Sequence, residues 1–157
     1  MNNTFYYETI IGKIGIAENG KAITHMYIAE RIPEDIHMSE TKLLKKANQQ
    51  LQEYLIGKRK TFDIPLAPRG TEFQQKVWNS LQKIQYGKTN SYKDIAESIG
   101  NIKAARAVGM ANNKNPIIIF IPCHRVIGAN GKLVGYAGGL DVKEKLLEIE
   151  KQNESYV

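Results

Sequence analysis

The stretch that most constrains this chain is an apolar, mostly β-branched run that ends at a proline and a cysteine. Ile117–Ile121 leads into Pro122, and Cys123 follows as the only cysteine among 157 residues. Such a run predicts a short buried strand or core segment. Pro122 fixes φ and has no backbone donor, so regular structure is predicted to stop where the thiol begins. The sequence therefore predicts a sulfur atom at the end of a rigid element, beside His124 and Arg125.

This lone thiol has two interpretations. Free cysteines are among the most buried residues and are often inert parts of the core. Cationic neighbours instead lower the pKa of a thiol towards the reactive thiolate, and we expect His124 and Arg125 to do so for Cys123. A single cysteine excludes an intrachain disulfide and a multi-cysteine zinc site. We therefore expect no metal and a reducing, cytoplasmic setting.

The positive charge of the chain is concentrated in its middle. Residues 68–132 contain ten Lys/Arg and three Asp/Glu, a net +7, whereas residues 1–67 carry a net +1 and residues 133–157 a net −2. This excess is typical of a surface that meets phosphates. No apolar segment approaches the roughly 18 residues that span a bilayer, and we expect no membrane contact.

Residues 1–67 predict an α/β domain without evident chemistry. Asn19-Gly20 lies between β-rich runs and predicts a type I′ hairpin. Ser39 is predicted to cap a helix that Gly57 ends, and Thr61–Ile64 is predicted to return as a short strand.

Residues 68–157 predict a second, mostly helical domain. Thr71 opens a helix with a capping box. Ser91–Gly100 and Lys103–Ala111 predict two short helices across a turn, a helix-turn-helix. The second of these is rich in small residues, with Arg106 as the one long cation after Lys103, which favours docking on DNA without base readout. In general, an alanine-rich helix is more often simply a packed one.

The segment Pro122-Cys123-His124-Arg125-Val126 resembles the acceptor-site signature of the O6-alkylguanine-DNA alkyltransferases. The similarity runs from Thr71 to Glu150 with order and spacing kept, while the N-terminal part resembles the family in general character. Other matching segments are Ser91-Tyr92, Ala104-Ala105-Arg106, Ala107-Val108-Gly109, Asn115-Pro116, Tyr136 with Gly138-Gly139, and Lys143-Glu144 followed by Leu146-Leu147 and Glu150.

The resemblance implies a fold and an activity. The fold would be a small antiparallel sheet plus helix, ribonuclease H-like, followed by a winged-helix-like domain with the helix-turn-helix. The activity would be DNA repair by direct damage reversal: irreversible, stoichiometric transfer of an alkyl group from O6-alkylguanine, and from O4-alkylthymine, to Cys123 after base flipping. The partner would be double-stranded DNA, bound by a monomer, and no cofactor is implied.

The resemblance also assigns roles to single residues. Cys123 would be the nucleophile, and His124 would deprotonate it through a water molecule while Glu150 orients the imidazole. Asn115 would fix the turn beneath the reactive loop, and Tyr136 would donate a proton to the departing guanine.

On the DNA side, the second helix would enter the minor groove. Arg106 would take the place of the extruded nucleotide, and Tyr92 would press on the adjacent phosphate. Two positions depart from some relatives, Ile102 where they have proline and Ala137 where they have serine. The full set of implied DNA-binding residues is Tyr92, Lys93, Asn101, Ala104, Ala105 and Arg106.

Three other functions remain open at this point. A lesion-binding relative would recognise alkylguanine without repairing it, but such proteins lack the acceptor cysteine. A cysteine hydrolase would turn over and needs a histidine distant in sequence, for which only His25 and His37 are available besides His124. A helix-turn-helix regulator would read bases in the major groove, usually as a dimer.

Overall fold

A computed structural model describes residues 2–28, 37–133, 135–136 and 138–154 of the chain. The chain divides into two compact units, Met1–Arg69 and Gly70–Val157. In the part that is described, no helix is long and apolar enough to cross a membrane.

The first unit is a three-stranded antiparallel sheet with one helix. Strands β1 (Asn3–Thr9), β2 (Gly12–Glu18) and β3 (Ile23–Ile28) pair in the order β1-β2-β3, and helix α1 (Lys42–Leu55) packs against β2. Period-two apolar residues of β2 and helical-period residues of α1 meet in the core because each element buries one face. The fully buried side chains include Ile14, Ile16, Leu44 and Leu51.

Local signals in this unit were correct in kind and inexact in position. The hairpin between β2 and β3 is confirmed, but its loop is longer than a two-residue turn because the Asn19 side chain accepts from the Ala22 N–H at 3.0 Å. Helix α1 is capped by Thr41 and not by Ser39. The predicted strand Thr61–Ile64 is wrong, because the returning chain pairs later, where the Ala67 N–H donates to the Ile23 carbonyl at 2.8 Å.

The second unit is mostly helical and carries the helix-turn-helix. Its elements are α2 (Glu72–Leu81), β4 (Asn90–Ser91), α3 (Tyr92–Ser98), α4 (Ala105–Asn113), β5 (Val126–Ile127) and α5 (Leu140–Asn153), with β4 and β5 paired in parallel. Helices α3 and α4 pack on each other and on α2. The predicted fold class, a small antiparallel sheet with a helix followed by a mostly helical unit, is confirmed.

Two capping boxes and one tryptophan organise these helices. Thr71 caps α2 together with Gln74, and Ser91 caps α3 together with Asp94, so both helix starts are fixed by side chains next to them. Trp78 is buried and donates from Nε1 to the Ala111 carbonyl at 2.9 Å, which ties α2 to the end of α4.

The apolar run before the cysteine is buried as predicted, but it is a folded turn and not a strand. Ile121 N–H donates to the Ile117 carbonyl at 3.0 Å, and Ile119 has a φ of 74°. A left-handed conformation at a β-branched residue costs on the order of 1–3 kcal/mol. The Asn115 side chain holds this turn closed, because it donates to the Ile121 carbonyl at 2.8 Å and accepts from the Ile117 N–H at 3.0 Å.

Candidate active site

Cys123 is the first residue of a short 3-10 helix, Cys123–Arg125, that follows Pro122 directly. Its thiol is free and the residue is only 2% exposed. Burial raises the pKa of the thiol to about 11, although a hydrogen bond from Asn115 and the charge of Lys143 act in the lowering direction. The expectation that neighbouring cations lower this pKa is therefore wrong for the free protein, because removing the thiolate from water is the larger effect.

His124 and Glu150 form a buried pair beside the cysteine. Glu150 lies near the end of α5, and its Oε2 is 2.6 Å from His124 Nε2. The other oxygen, Oε1, accepts from Arg125 Nε at 2.9 Å and from the Gly87 N–H at 3.0 Å. These three contacts hold both oxygens of the carboxylate and fix its orientation.

The same contacts shift the acid–base properties of this pair. Burial alone would raise the pKa of Glu150, but hydrogen bonds and charges from His124 and Arg125 outweigh it and lower that pKa to about 2. Burial lowers the pKa of His124 below 6.5, against the opposing effect of Glu150. Near neutral pH the site therefore holds a neutral imidazole and an ionised carboxylate.

Arg125 does not serve the thiol, contrary to expectation, and a lysine takes that place. Arg125 donates from Nη1 to the Ile84 carbonyl at 2.7 Å and lies 5.7 Å from the ring centre of Tyr86. Lys143 on α5 is fully buried, donates from Nζ to the Val126 carbonyl at 2.6 Å, and interacts electrostatically with Cys123. The signal for this missed residue was a lysine at the apolar-face spacing of α5, three residues before the buried Leu146.

Tyr136 brings a buried hydroxyl to the site. Its Oη has no hydrogen-bond partner among the described residues. Burial raises the pKa of Tyr136 well above 10, and the charges of Cys123 and Glu150 act in the same direction. The hydroxyl is thus protonated near neutral pH, and it interacts electrostatically with Cys123. Ala137, the departure noted beside it, lies outside the described residues.

Asn112 is a second missed residue. It lies on the inward face of α4, is 2% exposed, and donates from Nδ2 to the Cys123 carbonyl at 3.4 Å. Its Oδ1 is buried and has no hydrogen-bond partner in the described ranges. The available signal was an asparagine four residues after the buried Val108, at a spacing that keeps both on one helix face.

The DNA-binding candidates divide into an exposed group and an inward group. Lys93, Asn101 and Arg106 are exposed, so their side chains are available to a partner. Tyr92 is half-buried, and the charge of Cys123 contributes, after burial, to raising its pKa. Ala104 is buried at the start of α4 and Ala105 is half-buried.

The start of α4 has no side-chain cap. Ala104 occupies the N-cap position without a side-chain hydrogen bond, and Ile102 before it is 59% exposed. No group of three or more His, Cys, Asp or Glu side chains is arranged to hold a metal ion in the part of the chain that the structure describes.

Comparisons with known proteins agree with one another over almost the whole chain. Residues 72–152 match the family described as 6-O-methylguanine DNA methyltransferase, DNA binding domain, and residues 4–68 match its ribonuclease-like domain. A methylated-DNA–protein-cysteine methyltransferase of Methanosarcina acetivorans is 51% identical over 148 residues, covering 92% of this chain and 95% of the relative. The constitutive protein of the same name from Bacillus subtilis is 46% identical over 159 residues, covering 96% of each.

Solved structures extend this likeness to the fold. The Mycobacterium tuberculosis O6-methylguanine methyltransferase superposes with a TM-score of 0.91 at 43% identity, covering 98% of this chain and 94% of that one. The same protein in complex with DNA also gives 0.91, covering 96% of this chain and 94% of that one. The family models, the similar sequences and the fold therefore agree that the chain belongs to the 6-O-methylguanine DNA methyltransferase family.

Proposed function

We propose that Cys123 is the cysteine to which this protein transfers the alkyl group of O6-alkylguanine in DNA. The observation that carries the proposal is the double contact made by α4. Its outer face bears the exposed Arg106, and its inner face bonds to the backbone of Cys123 through Asn112. A helix that rests on DNA would thereby hold the acceptor cysteine directly behind itself.

The chemistry is a displacement at carbon that balances without a cofactor. The sulfur of Cys123 forms a bond to the alkyl carbon as the bond from that carbon to O6 of guanine breaks. The thiol proton leaves the sulfur, and one proton is gained by the departing base, so guanine leaves neutral. The thioether has no leaving group of comparable quality, and each protein molecule therefore reacts once.

His124 acts as the base in this reaction. A thiol with a pKa of about 11 next to a histidine with a pKa below 6.5 keeps its proton at rest. The proton therefore moves to His124 only as the sulfur–carbon bond forms, and the ionised Glu150 stabilises the imidazolium that results. This arrangement protects the single thiol from side reactions until an alkylated base is present.

Tyr136 supplies the proton that the departing guanine needs. Its buried hydroxyl is protonated at neutral pH because its pKa is raised well above 10. A hydroxyl without a partner among the described residues is available to donate to an incoming base. After guanine has left, the thiol proton held by His124 returns Tyr136 to its protonated form.

DNA is bound through the minor groove by one copy of the chain, with O4-alkylthymine as a second substrate. Arg106 fills the stack while the damaged nucleotide rotates out, and Tyr92 stands between the DNA and the thiol. Ala105 permits close approach of α4, and Lys93 and Asn101 contact the backbone. All catalytic residues lie in one unit of one chain, so no second copy is needed. The protein acts inside the cell, because its substrate is DNA and its single cysteine must stay reduced.

The proposal is tested by intact mass after incubation with a duplex containing O6-methylguanine. One methyl group per chain, mapped to Cys123 by peptide analysis, is expected, with no further turnover. Cys123→Ser should transfer nothing, because a hydroxyl is a far poorer nucleophile near pH 7. It should bind DNA within about twofold of the wild type, because the proposed DNA contacts lie on α3 and α4. Methylation of another residue, or transfer by the serine variant, would refute the assignment.

A further inference from the structure

Asn112 presents a buried hydrogen-bond acceptor that the free protein does not use. Its Oδ1 has no partner among the described residues, although the side chain is 2% exposed. A buried acceptor without a partner has lost its hydration without compensation, so such groups are rare in native proteins and call for an explanation. The orphan atom lies on the residue that bonds to the Cys123 carbonyl, so it belongs to the reaction site.

The orientation of this amide is fixed by its other end. Nδ2 donates to the Cys123 carbonyl at 3.4 Å, which assigns the nitrogen to that side and leaves Oδ1 as the free end. Burial does not remove Oδ1 from the reach of a substrate, because Cys123 is equally buried at 2% and must itself be reached by the alkylated base. Whatever movement admits the base to the sulfur also admits it to the neighbourhood of Asn112.

We propose that Asn112 is a specificity-determining residue whose Oδ1 accepts a hydrogen bond from the 2-amino group of the extruded guanine. This inference rests on the proposed function and adds the basis of base selection to it. When O6 carries an alkyl group, N1 has no hydrogen, so the 2-amino group is the N–H donor that guanine retains. O4-alkylthymine has no N–H on its base. An acceptor at this position therefore favours guanine over thymine.

The magnitude follows from gaining one buried hydrogen bond. A neutral hydrogen bond contributes about 0.5–1.5 kcal/mol net, which at its upper end corresponds to roughly tenfold in rate. A larger discrimination is not expected, since Oδ1 is already unpartnered in the free protein and an analogue without the amino group leaves it as it was.

The test compares two duplexes that differ only in the 2-amino group, one with O6-methylguanine and one with O6-methylhypoxanthine. Single-turnover transfer by the wild type should be about tenfold faster on O6-methylguanine. In Asn112→Leu, which has similar volume and no acceptor, this ratio should fall to within about twofold of unity. Loss of the bond to the Cys123 carbonyl affects both substrates alike and cancels in the ratio.

Asn113→Leu makes the same change at the next, exposed position of α4 and should keep the tenfold ratio. Asn112→Met provides a more adaptable apolar side chain if leucine prevents folding, as judged by thermal melting. A wild-type ratio near one, or a ratio that Asn112→Leu leaves unchanged, would overturn the inference. Absence of transfer from both duplexes would instead contradict the proposed function, and this inference with it.

Discussion

His124 donates a hydrogen bond from Nε2 to Oε2 of Glu150 across 2.6 Å, and both side chains are buried. Because Glu150 is ionised, the shared hydrogen resides on Nε2, and this sets the tautomer of the neutral ring. Nδ1 is then the basic nitrogen of the ring, and it is the atom to which the proposed reaction would bring the thiol proton. The carboxylate is positioned for this task by Arg125 and the Gly87 N–H on its other oxygen.

This relationship predicts how the pH dependence of transfer responds to Glu150→Gln. The negative charge of Glu150 raises the pKa of His124, and removal of the charge should lower that pKa further. The acid limb of the rate profile, which should reflect the lowered pKa of His124 in the wild type, should therefore move to still lower pH in Glu150→Gln. The plateau rate should fall by about 10- to 100-fold, because the imidazolium loses its partner.

The measurement is single-turnover transfer from O6-benzylguanine as a free base between pH 4.5 and 8.5, which removes DNA binding from the profile. Glu148→Gln, an exposed position on the same helix, is the matched control and should reproduce the wild-type limb. A limb that moves to higher pH in Glu150→Gln would contradict the proposed role of the carboxylate.

The same carboxylate predicts acid sensitivity of the fold. The pKa of Glu150 falls from 4.5 to about 2 on folding, so its stabilising effect is complete above pH 4.5 and is lost as pH falls from there towards 2. The shift corresponds to about 3 kcal/mol of unfolding free energy. His124 adds to the loss below pH 6.5, because the unfolded chain then binds a proton that the buried ring resists.

Urea unfolding at pH 7, 5 and 3 measures this effect. The free energy of unfolding of the wild type should decrease steadily towards pH 3, whereas Glu150→Gln should start lower at pH 7 and should lack the part of the decrease below pH 4.5 that comes from protonation of Glu150. Glu148→Gln should follow the wild type. Equal pH dependence in all three proteins would show that other carboxyl groups dominate acid unfolding.

Local chemistry explains what the sequence predicted well. The capping boxes at Thr71 and Ser91 depend on side chains three residues further along, so both helix starts could be predicted from the local sequence. The turn at Ile117–Ile121 could not be predicted in this way, because it depends on a hydrogen bond from the Asn115 side chain to the Ile121 carbonyl. Without the Asn115 amide, the same run of apolar residues would be typical of a strand.

Properties of the site that depend on burial and long-range packing were the least predictable. Arg125 follows Cys123 closely in sequence but turns to Glu150 and Ile84, while Lys143 arrives from α5 to interact with the thiol. Sequence proximity suggested a lowered pKa for Cys123, whereas enclosure raises it. The unpartnered acceptor of Asn112 could not be predicted, because it follows from the packing around the side chain and not from the local sequence.

Arg106→Ala tests the separation of base extrusion from alkyl transfer. Arg106 is exposed on α4, away from the buried thiol, so its loss should reduce repair of O6-methylguanine in duplex DNA by about 100-fold or more. Extrusion costs a few kcal/mol that a free base does not require, and transfer from free O6-benzylguanine should change less than about threefold.

Lys21→Ala, which removes an exposed cation of the first unit, is the control for both substrates and should behave as the wild type. Equal losses on duplex and free base in Arg106→Ala would mean that the arginine supports the fold of α4 and not the extruded state.

The last prediction concerns the origin of DNA affinity. Residues 68–132 carry a net +7, and α4 offers few side chains that read base edges. Counterion release should therefore supply most of the binding free energy, and with about four phosphates neutralised, log K should fall against log salt with a slope of about −3 to −4. The measurement is a salt titration of binding to several undamaged duplexes of unrelated sequence, which should differ little in affinity.

Lys93→Ala removes one exposed cation of α3 and should make the slope of log K against log salt shallower by about 0.9, while Lys21→Ala in the first unit should leave that slope unchanged. A flat salt dependence, or one duplex bound about a thousandfold more tightly than the others, would favour sequence-specific readout and contradict this account.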